Sequence, residues 1–197
     1  MRILNLYAGV GGNRENWGNS HEITAVEIDP KRAEKYKNKF PNDNVIIADA
    51  HEYLLDNYKE FNFIWSSPPC QTHSRANYFI NNGVAKRPRY PSLELYEEII
   101  FLQNFYKGMY CVENVISYYE PLIKPAKIGR HYIWSNFKIP KIKLPKNDIG
   151  SMAKGWNTAC SIHIDERNKC SPELGEHILN CALGISKQRE QVLGTLF

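Results

Sequence analysis

No apolar run in this 197-residue chain approaches the roughly 20 positions that a bilayer-spanning helix requires. The opening MRILNLYAGVGG has a single basic residue and turns at once into glycine-rich chemistry, so neither a targeting signal nor a membrane association is expected. Cysteine is scarce and odd in number: the five, at positions 70, 111, 160, 170 and 181, lack the dense even spacing of a disulfide scaffold. A reducing compartment is expected, and the chain reads as cytoplasmic. Internal repeats and low-complexity tracts are absent, which excludes solenoids and large-scale disorder. Charge of one sign is also lacking, since the net charge is only +4, yet that excess is local. Lys138, Lys141, Lys143, Lys146, Lys154, Arg167 and Lys169 face only Asp148, Asp165 and Glu166 over their stretch of chain, which accounts for the whole excess. Such a segment suits a phosphate backbone or is a solvated face.

What is present is an ordinary globular composition, 43% hydrophobic and 23% charged, long enough for one compact domain with at most a small appendage. RILNLY, EITAVEID, NVIIADA, EFNFIWSS and GMYCVENV are short apolar runs rich in β-branched or aromatic residues and read as strands. DPKRAEKYKNKF and SLELYEEIIFLQNFYK read as helices between them. In the latter, Ser92 is a candidate N-cap and Leu95, Ile99, Leu102 and Phe105 or Tyr106 share a face. The tail SPELGEHILNCALGISK reads as a closing helix capped by Ser171 with Pro172 at its first position. Strands alternating with helices predict an α/β, doubly wound and mostly parallel sheet. Residues 1–137 form its main unit, 138–170 a small irregular basic segment punctuated by Pro140 and Pro145, and 171–197 the closing helix.

The special residues fall at strand carboxyl ends, where open α/β sheets bind ligands. AGVGG lacks the third glycine of a dinucleotide fingerprint, because Arg14 stands there. Glu27 ends the second strand, where a carboxylate accepts from a ribose. Asp49 ends the third, where it can accept from an adenine amino group. A glycine turn with these two acids favours an adenosyl ligand without a pyrophosphate, S-adenosylmethionine over NAD.

Ser67-Pro68-Pro69-Cys70 follows the fourth strand and cannot continue it, because proline supplies no ladder donor. The thiol of Cys70 is thereby projected on a stiff loop, with His73 and Arg75 placed to stabilise a thiolate if they approach it. Amino-directed methyltransferases carry an aromatic residue after the two prolines. Cysteine here removes the stacking role and sharpens a covalent one.

Taken in order, AGVGG, VEID, AD, SPPCQ, VENV and GRHYIW resemble the motifs of the cytosine-C5 DNA methyltransferase family, from Ile3 to about Trp134. The resemblance implies a Rossmann-like fold dependent on S-adenosylmethionine, with residues 1–137 as its catalytic domain and 138–170 as a reduced recognition segment. It also implies methyl transfer to C5 of a flipped cytosine in DNA. Cys70 matches the nucleophile for C6, Glu113 the carboxyl at N3, and Arg130 the second arginine of the QxRxR element at O2. Tyr7, Gly9, Gly11, Gly12, Glu27, Ile28, Asp49 and Pro69 match cofactor-binding positions. Gln71, Ser74, Arg75 and Asn114 match substrate-binding positions. Asn5, Asn13, Ile28 and Ile128 depart from the usual Asp, Phe, aromatic residue and first arginine. The family's sizeable recognition domain has little counterpart, which implies a compact phage-like enzyme of the restriction-modification kind, acting in a host cytoplasm, reliance on a separate specificity protein, or little sequence specificity. RNA or a nucleotide as substrate, and a non-catalytic binding protein, remain alternatives.

Cys160, His163, Cys170, His177 and Cys181 crowd the C-terminal region but match no compact zinc template, and no metal site is expected. Tyr118, Tyr119, Trp134 and Trp156 could stack on bases, although aromatic residues near strands are mostly core.

Overall fold

The computed structural model describes residues 1–79, 89–144 and 170–185. The strands are β1 (Arg2–Leu6), β2 (Glu22–Val26), β3 (Asn44–Ile46), β4 (Phe63–Ser66), β5 (Met109–Val115), β6 (Ala126–Ile128) and β7 (His131–Ser135). They form one sheet in the order β3-β2-β1-β4-β5-β7-β6. The first five are parallel. β7 runs antiparallel to both β5 and β6. The topology reverses between β1 and β4, which opens a crevice at their carboxyl ends.

Helices α1 (Pro30–Lys39), α2 (Ala50–Asn57), α3 (Ala76–Phe79), α4 (Glu94–Phe105) and α5 (Pro172–Ala182) accompany the sheet. Side chains alternate across β1 as period two requires. Leu4 and Leu6 join Leu54, Ile99 and Leu102 on one face, while Ile3 joins Trp17, Phe63, Leu174 and Ile178 on the other. Thus α2 and α4 cover one face, and α5 covers the other. Tyr106, not Phe105, completes the buried stripe of α4.

Two sequence expectations change. The antiparallel pair β6 and β7 adds two strands beyond the five expected. Ser92 does not cap α4: Leu93 holds the N-cap position without a side-chain bond, and the Ser92 N–H instead donates to Thr72 Oγ1 at 3.1 Å. Where it is described, over residues 138–144, the basic segment is loop as expected, with Ile139, Ile142 and Leu144 packed on the core while Lys138, Lys141 and Lys143 face solvent. Lys146, Lys154, Arg167, Lys169, Trp156, Cys160 and His163 lie outside the described residues. Among the described residues no helix is long and apolar enough to cross a membrane.

The closing helix seats on the glycine turn. Ser171 Oγ caps α5 by accepting the Leu174 N–H at 3.2 Å, and Pro172 occupies the first turn. A Cβ on Gly175 would collide with the Asn13 carbonyl oxygen and lie 2.8 Å from its carbon, so only glycine permits this approach. Gly175→Ala is expected to lower stability by about 1–3 kcal/mol in urea titration, since backbone must yield. An unchanged midpoint would contradict this seating.

Candidate active site

The parallel strands deliver their carboxyl ends to the crevice, and antiparallel β7 brings its first residue to the same rim because His131 pairs with Val115. One cavity there is lined by Tyr7, Gly9, Gly12, Glu27 and Ile28 on one side, and by Pro69, Cys70, Gln71, Glu113, Arg130 and His131 on the other. The expected nucleophile, carboxyl, arginine and glycine turn therefore meet.

The turn after β1 is held by backbone geometry and a carboxylate. Tyr7, Gly9 and Gly11 all have positive φ, at 55°, 56° and 77°. Space beside Gly9 is open to 4 Å where a side chain would project. Glu27, nearly buried, accepts the Gly9 N–H at 2.8 Å through Oε2 and the Asp29 N–H at 2.9 Å through Oε1. A carboxylate has about four acceptor sites, so two remain for ribose hydroxyls. Ile28, 63% exposed at the cavity wall, offers apolar contact to a purine. These residues fit an adenosyl cofactor.

Other expected residues are placed elsewhere. Gly11 does not line the cavity: its lack of a side chain makes room for Tyr36 and Phe40, because a Cβ there would collide with the Phe40 ring and stand 2.9 Å from that of Tyr36. Asp49 is the N-cap of α2, with Oδ1 accepting the His51 and Glu52 N–H groups. Asn114 is turned to scaffolding: its Nδ2 donates to Pro68 O at 3.0 Å, and its Oδ1 accepts the Val115 N–H. Ser74 bridges to Ser117, and Arg75 is exposed. Asn5 and Asn13 pair with each other in the core, Asn13 Nδ2 donating to Asn5 Oδ1 at 2.8 Å. Two departures from the motif thus form one buried hydrogen bond.

The loop carrying Cys70 is tethered along its length. Trp65 Nε1 donates to Ser67 Oγ at 2.7 Å, Asn77 Nδ2 to Gln71 O at 2.6 Å, and the His73 and Ser74 N–H groups both to Cys70 O at 3.0 Å. Glu98, fully buried on α4, accepts from Ser66 Oγ at 2.6 Å and from the Tyr7 hydroxyl, and meets His51 Nδ1 at 3.4 Å. It ties the cofactor turn to the start of the nucleophile loop. Burial and the Glu98 charge hold the Tyr7 hydroxyl protonated.

The thiol is not a resting thiolate. Burial, reinforced by the negative charge of Glu113, pushes Cys70 up to about 11. The expected help from His73 and Arg75 is not realised. His73 is buried, lowered in basicity by desolvation, and occupied by the Tyr119 hydroxyl at 2.6 Å. Iodoacetamide should therefore alkylate Cys70 about tenfold faster per pH unit from pH 7 to 10, as thiolate accumulates. A plateau below pH 8 would show an activated resting thiolate instead.

Glu113 is nearly buried on β5, and His131 Nδ1 lies 2.6 Å from its Oε1. Glu98 and His131 both escaped sequence reasoning. For Glu98 the signal was a carboxylate set among Leu95, Ile99 and Leu102 on an apolar helix stripe. For His131 it was a titratable residue beside Arg130. Elsewhere, Cys181 Sγ and His177 Nε2 stand 3.8 Å apart on one face of α5, and no metal-ligating cluster exists among the described residues. Trp134 is core, its Nε1 donating to Ile123 O at 2.8 Å.

Residues 1–115 match the family model described as C-5 cytosine-specific DNA methylase. The human tRNA (cytosine(38)-C(5))-methyltransferase is 27% identical over 152 residues, covering 66% of this chain and 39% of that protein. The mouse enzyme of the same name is 32% identical over 81 residues, covering 38% and 20%. The chain thus spans between a fifth and two-fifths of these relatives. A Spodoptera frugiperda DNMT2 structure aligns at 29% identity with a TM-score of 0.40, over 58% of this chain and 35% of that one. With the family match covering more than half of the sequence, the chain belongs to the C-5 cytosine-specific DNA methylase family, and its cofactor is S-adenosylmethionine.

Proposed function

We propose that this chain methylates C5 of a cytosine, in DNA as the first substrate class, through a covalent adduct between Cys70 and C6. The observation that carries the reading is the convergence of Cys70, Glu113 and Arg130 on the cavity that also holds the glycine turn and Glu27. Carbon 5 of cytosine is a poor nucleophile, and thiolate addition at C6 makes it enamine-like. Glu113 supplies a hydrogen bond and a proton at N3 as charge moves onto the ring, and Arg130 orients the base through O2. Tyr7, Gly9, Gly12, Glu27 and Ile28 hold the cofactor, which when bound supplies an electrophilic methyl group for C5. Loss of the C5 proton to a base and β-elimination then free Cys70. Because C6 is shielded in a stacked duplex, the base enters flipped. Recognition of its neighbours falls to the basic stretch beginning at Lys138 or to a separate specificity protein.

A second reading, the same chemistry on a tRNA cytosine, is favoured by the names of the curated relatives. Tritiated methyl incorporation from labelled cofactor into DNA, tRNA and cytidine nucleotides, run side by side, separates the readings. DNA labelling with bisulfite-mapped C5 methylation supports the first, and labelling confined to tRNA supports the second. No incorporation into any of the three, with cofactor bound, sinks the reaction.

A further inference from the structure

We propose that His131 is a positioning residue for Glu113, the two sharing one proton that Glu113 delivers to N3 of the cytosine. This role rests on the cytosine-methylation reading above. Its basis is a buried contact that the antiparallel pairing of β5 and β7 creates. Glu113 pairs with Ile133, and His131 lies two residues back along β7, on the same face and diagonally across from the carboxylate. Nδ1 approaches Oε1 to 2.6 Å, with the two side chains only 9% and 10% exposed. A contact this short between two buried side chains suits a proton held between imidazole and carboxylate. The pair also lines the cavity itself, so the proton is held where the base would sit.

The arrangement solves a problem set by Cys70. A bare Glu113 carboxylate opposes formation of the thiolate. With imidazolium against it the carboxylate is compensated, and the thiol can lose its proton to water. The thiolate pair then forms the S–C6 bond, the C5=C6 π pair becomes the C4=C5 bond, and the C4=N3 pair takes the proton from Glu113. Imidazole and carboxylate remain, one proton fewer, until elimination returns it from N3. Other ionisable groups facing the pair are Cys70 on the loop after β4, Cys111 on β5 and Arg130 before β7. Glu27, Arg32 and Cys170 lie farther around the wall.

Two measurements test the proposal. In the substrate-free protein, the His131 ring nitrogens are titrated by NMR in wild type and in Glu113→Gln. A downward shift of about one pH unit or more on losing the carboxylate supports the pair, and an unmoved midpoint overturns it whatever the activity. In the second, single-turnover adduct formation is followed from pH 5.5 to 9 on a 5-fluorocytosine oligonucleotide of DNA and of RNA. The variants are His131→Asn, which keeps an N–H donor without titrating, and His131→Gln. The expected result is a fall of about ten- to a hundredfold at pH 7.5 that shrinks towards pH 5.5, with cofactor affinity unchanged. Profiles parallel to wild type at every pH would make His131 merely structural and overturn the role. If wild type forms no adduct on either nucleic acid, the methylation reading fails, while the substrate-free titration still decides the pair.

Discussion

Cys70→Ala is expected to abolish methyl incorporation, a loss of at least about 10⁴-fold, while S-adenosylmethionine binding persists. The size follows from the reaction. Without a nucleophile at C6, C5 must attack the methyl group as part of an intact aromatic ring. A 10⁴-fold loss corresponds to about 5.5 kcal/mol of transition-state stabilisation, more than one hydrogen bond or one orienting contact supplies. Binding survives because the cofactor's contacts come from the turn after β1 and from Glu27, whose partners are the Gly9 and Asp29 N–H groups. The decisive control is trapping: wild type should form a denaturation-resistant complex with 5-fluorocytosine nucleic acid, and Cys70→Ala none. Cys70→Ser keeps the loop's shape with a weaker nucleophile and should resemble alanine in rate. A mutant with unchanged incorporation ends the covalent mechanism. A wild type that binds cofactor and nucleic acid, but transfers nothing, is the signature of a binding protein built on the same fold.

Much of this was legible in the chain, for a definite reason. Strands buried on both faces read as continuous apolar runs, so β1, β2, β4 and β5 announced themselves, the half-exposed edge strand β3 showed through its β-branched run, and prolines after β4 marked the nucleophile loop. β6 and β7 were hidden because KIGRHYIWS mixes glycine, charge and aromatic residues with no clean alternation. His131 was hidden for a deeper reason, since its contact with Glu113 depends on antiparallel register across 18 residues of chain. Glu98 could have been suspected, because a charge on an apolar stripe demands partners. Which partners it finds, from the turn after β1, from β4 and from α2, is decided only when the sheet assembles. The acids illustrate a related limit. Glu27 and Asp49 follow strands in the same way, yet one turns into the cavity and the other caps α2.

Arg14→Ala is expected to cost about 3–5 kcal/mol of stability, the second large effect, because it strands a buried carboxylate. Arg14 occupies the place where a dinucleotide fingerprint has its third glycine, and its side chain is 3% exposed. Its guanidinium grips Asp43 with two bonds, Nε to Oδ2 at 2.8 Å and Nη2 to Oδ1 at 3.1 Å. Tyr36 donates to the same carboxylate at 2.9 Å, and the Phe40 ring lies 4.8 Å below the guanidinium carbon. The glycine turn and the end of α1 are thereby locked together around Asp43. Removing the arginine leaves the Asp43 carboxylate with the Tyr36 hydroxyl, while the Lys37 ammonium is held on the Asp43 backbone carbonyl at 2.6 Å and not on the carboxylate. Against a typical total of about 5–15 kcal/mol, that is about a fifth or more of the stability of an average domain. Urea titration should show a lower midpoint for Arg14→Ala and for Asp43→Ala, with Arg14→Lys in between because it keeps charge but loses the planar fork. The apolar double replacement Arg14→Met with Asp43→Leu should recover most of the loss, since the pair's net contribution is small once both charges are gone. Cofactor affinity adds a second readout. The turn that Arg14 anchors also carries Gly9 and Gly12 to the cavity, so the single mutant should bind S-adenosylmethionine more weakly even where it is fully folded. Single mutants as stable as wild type would mean that the partner left behind is rehydrated and not stranded, and the lock between turn and helix would have to be sought in the packing of Gly11 against Tyr36 and Phe40.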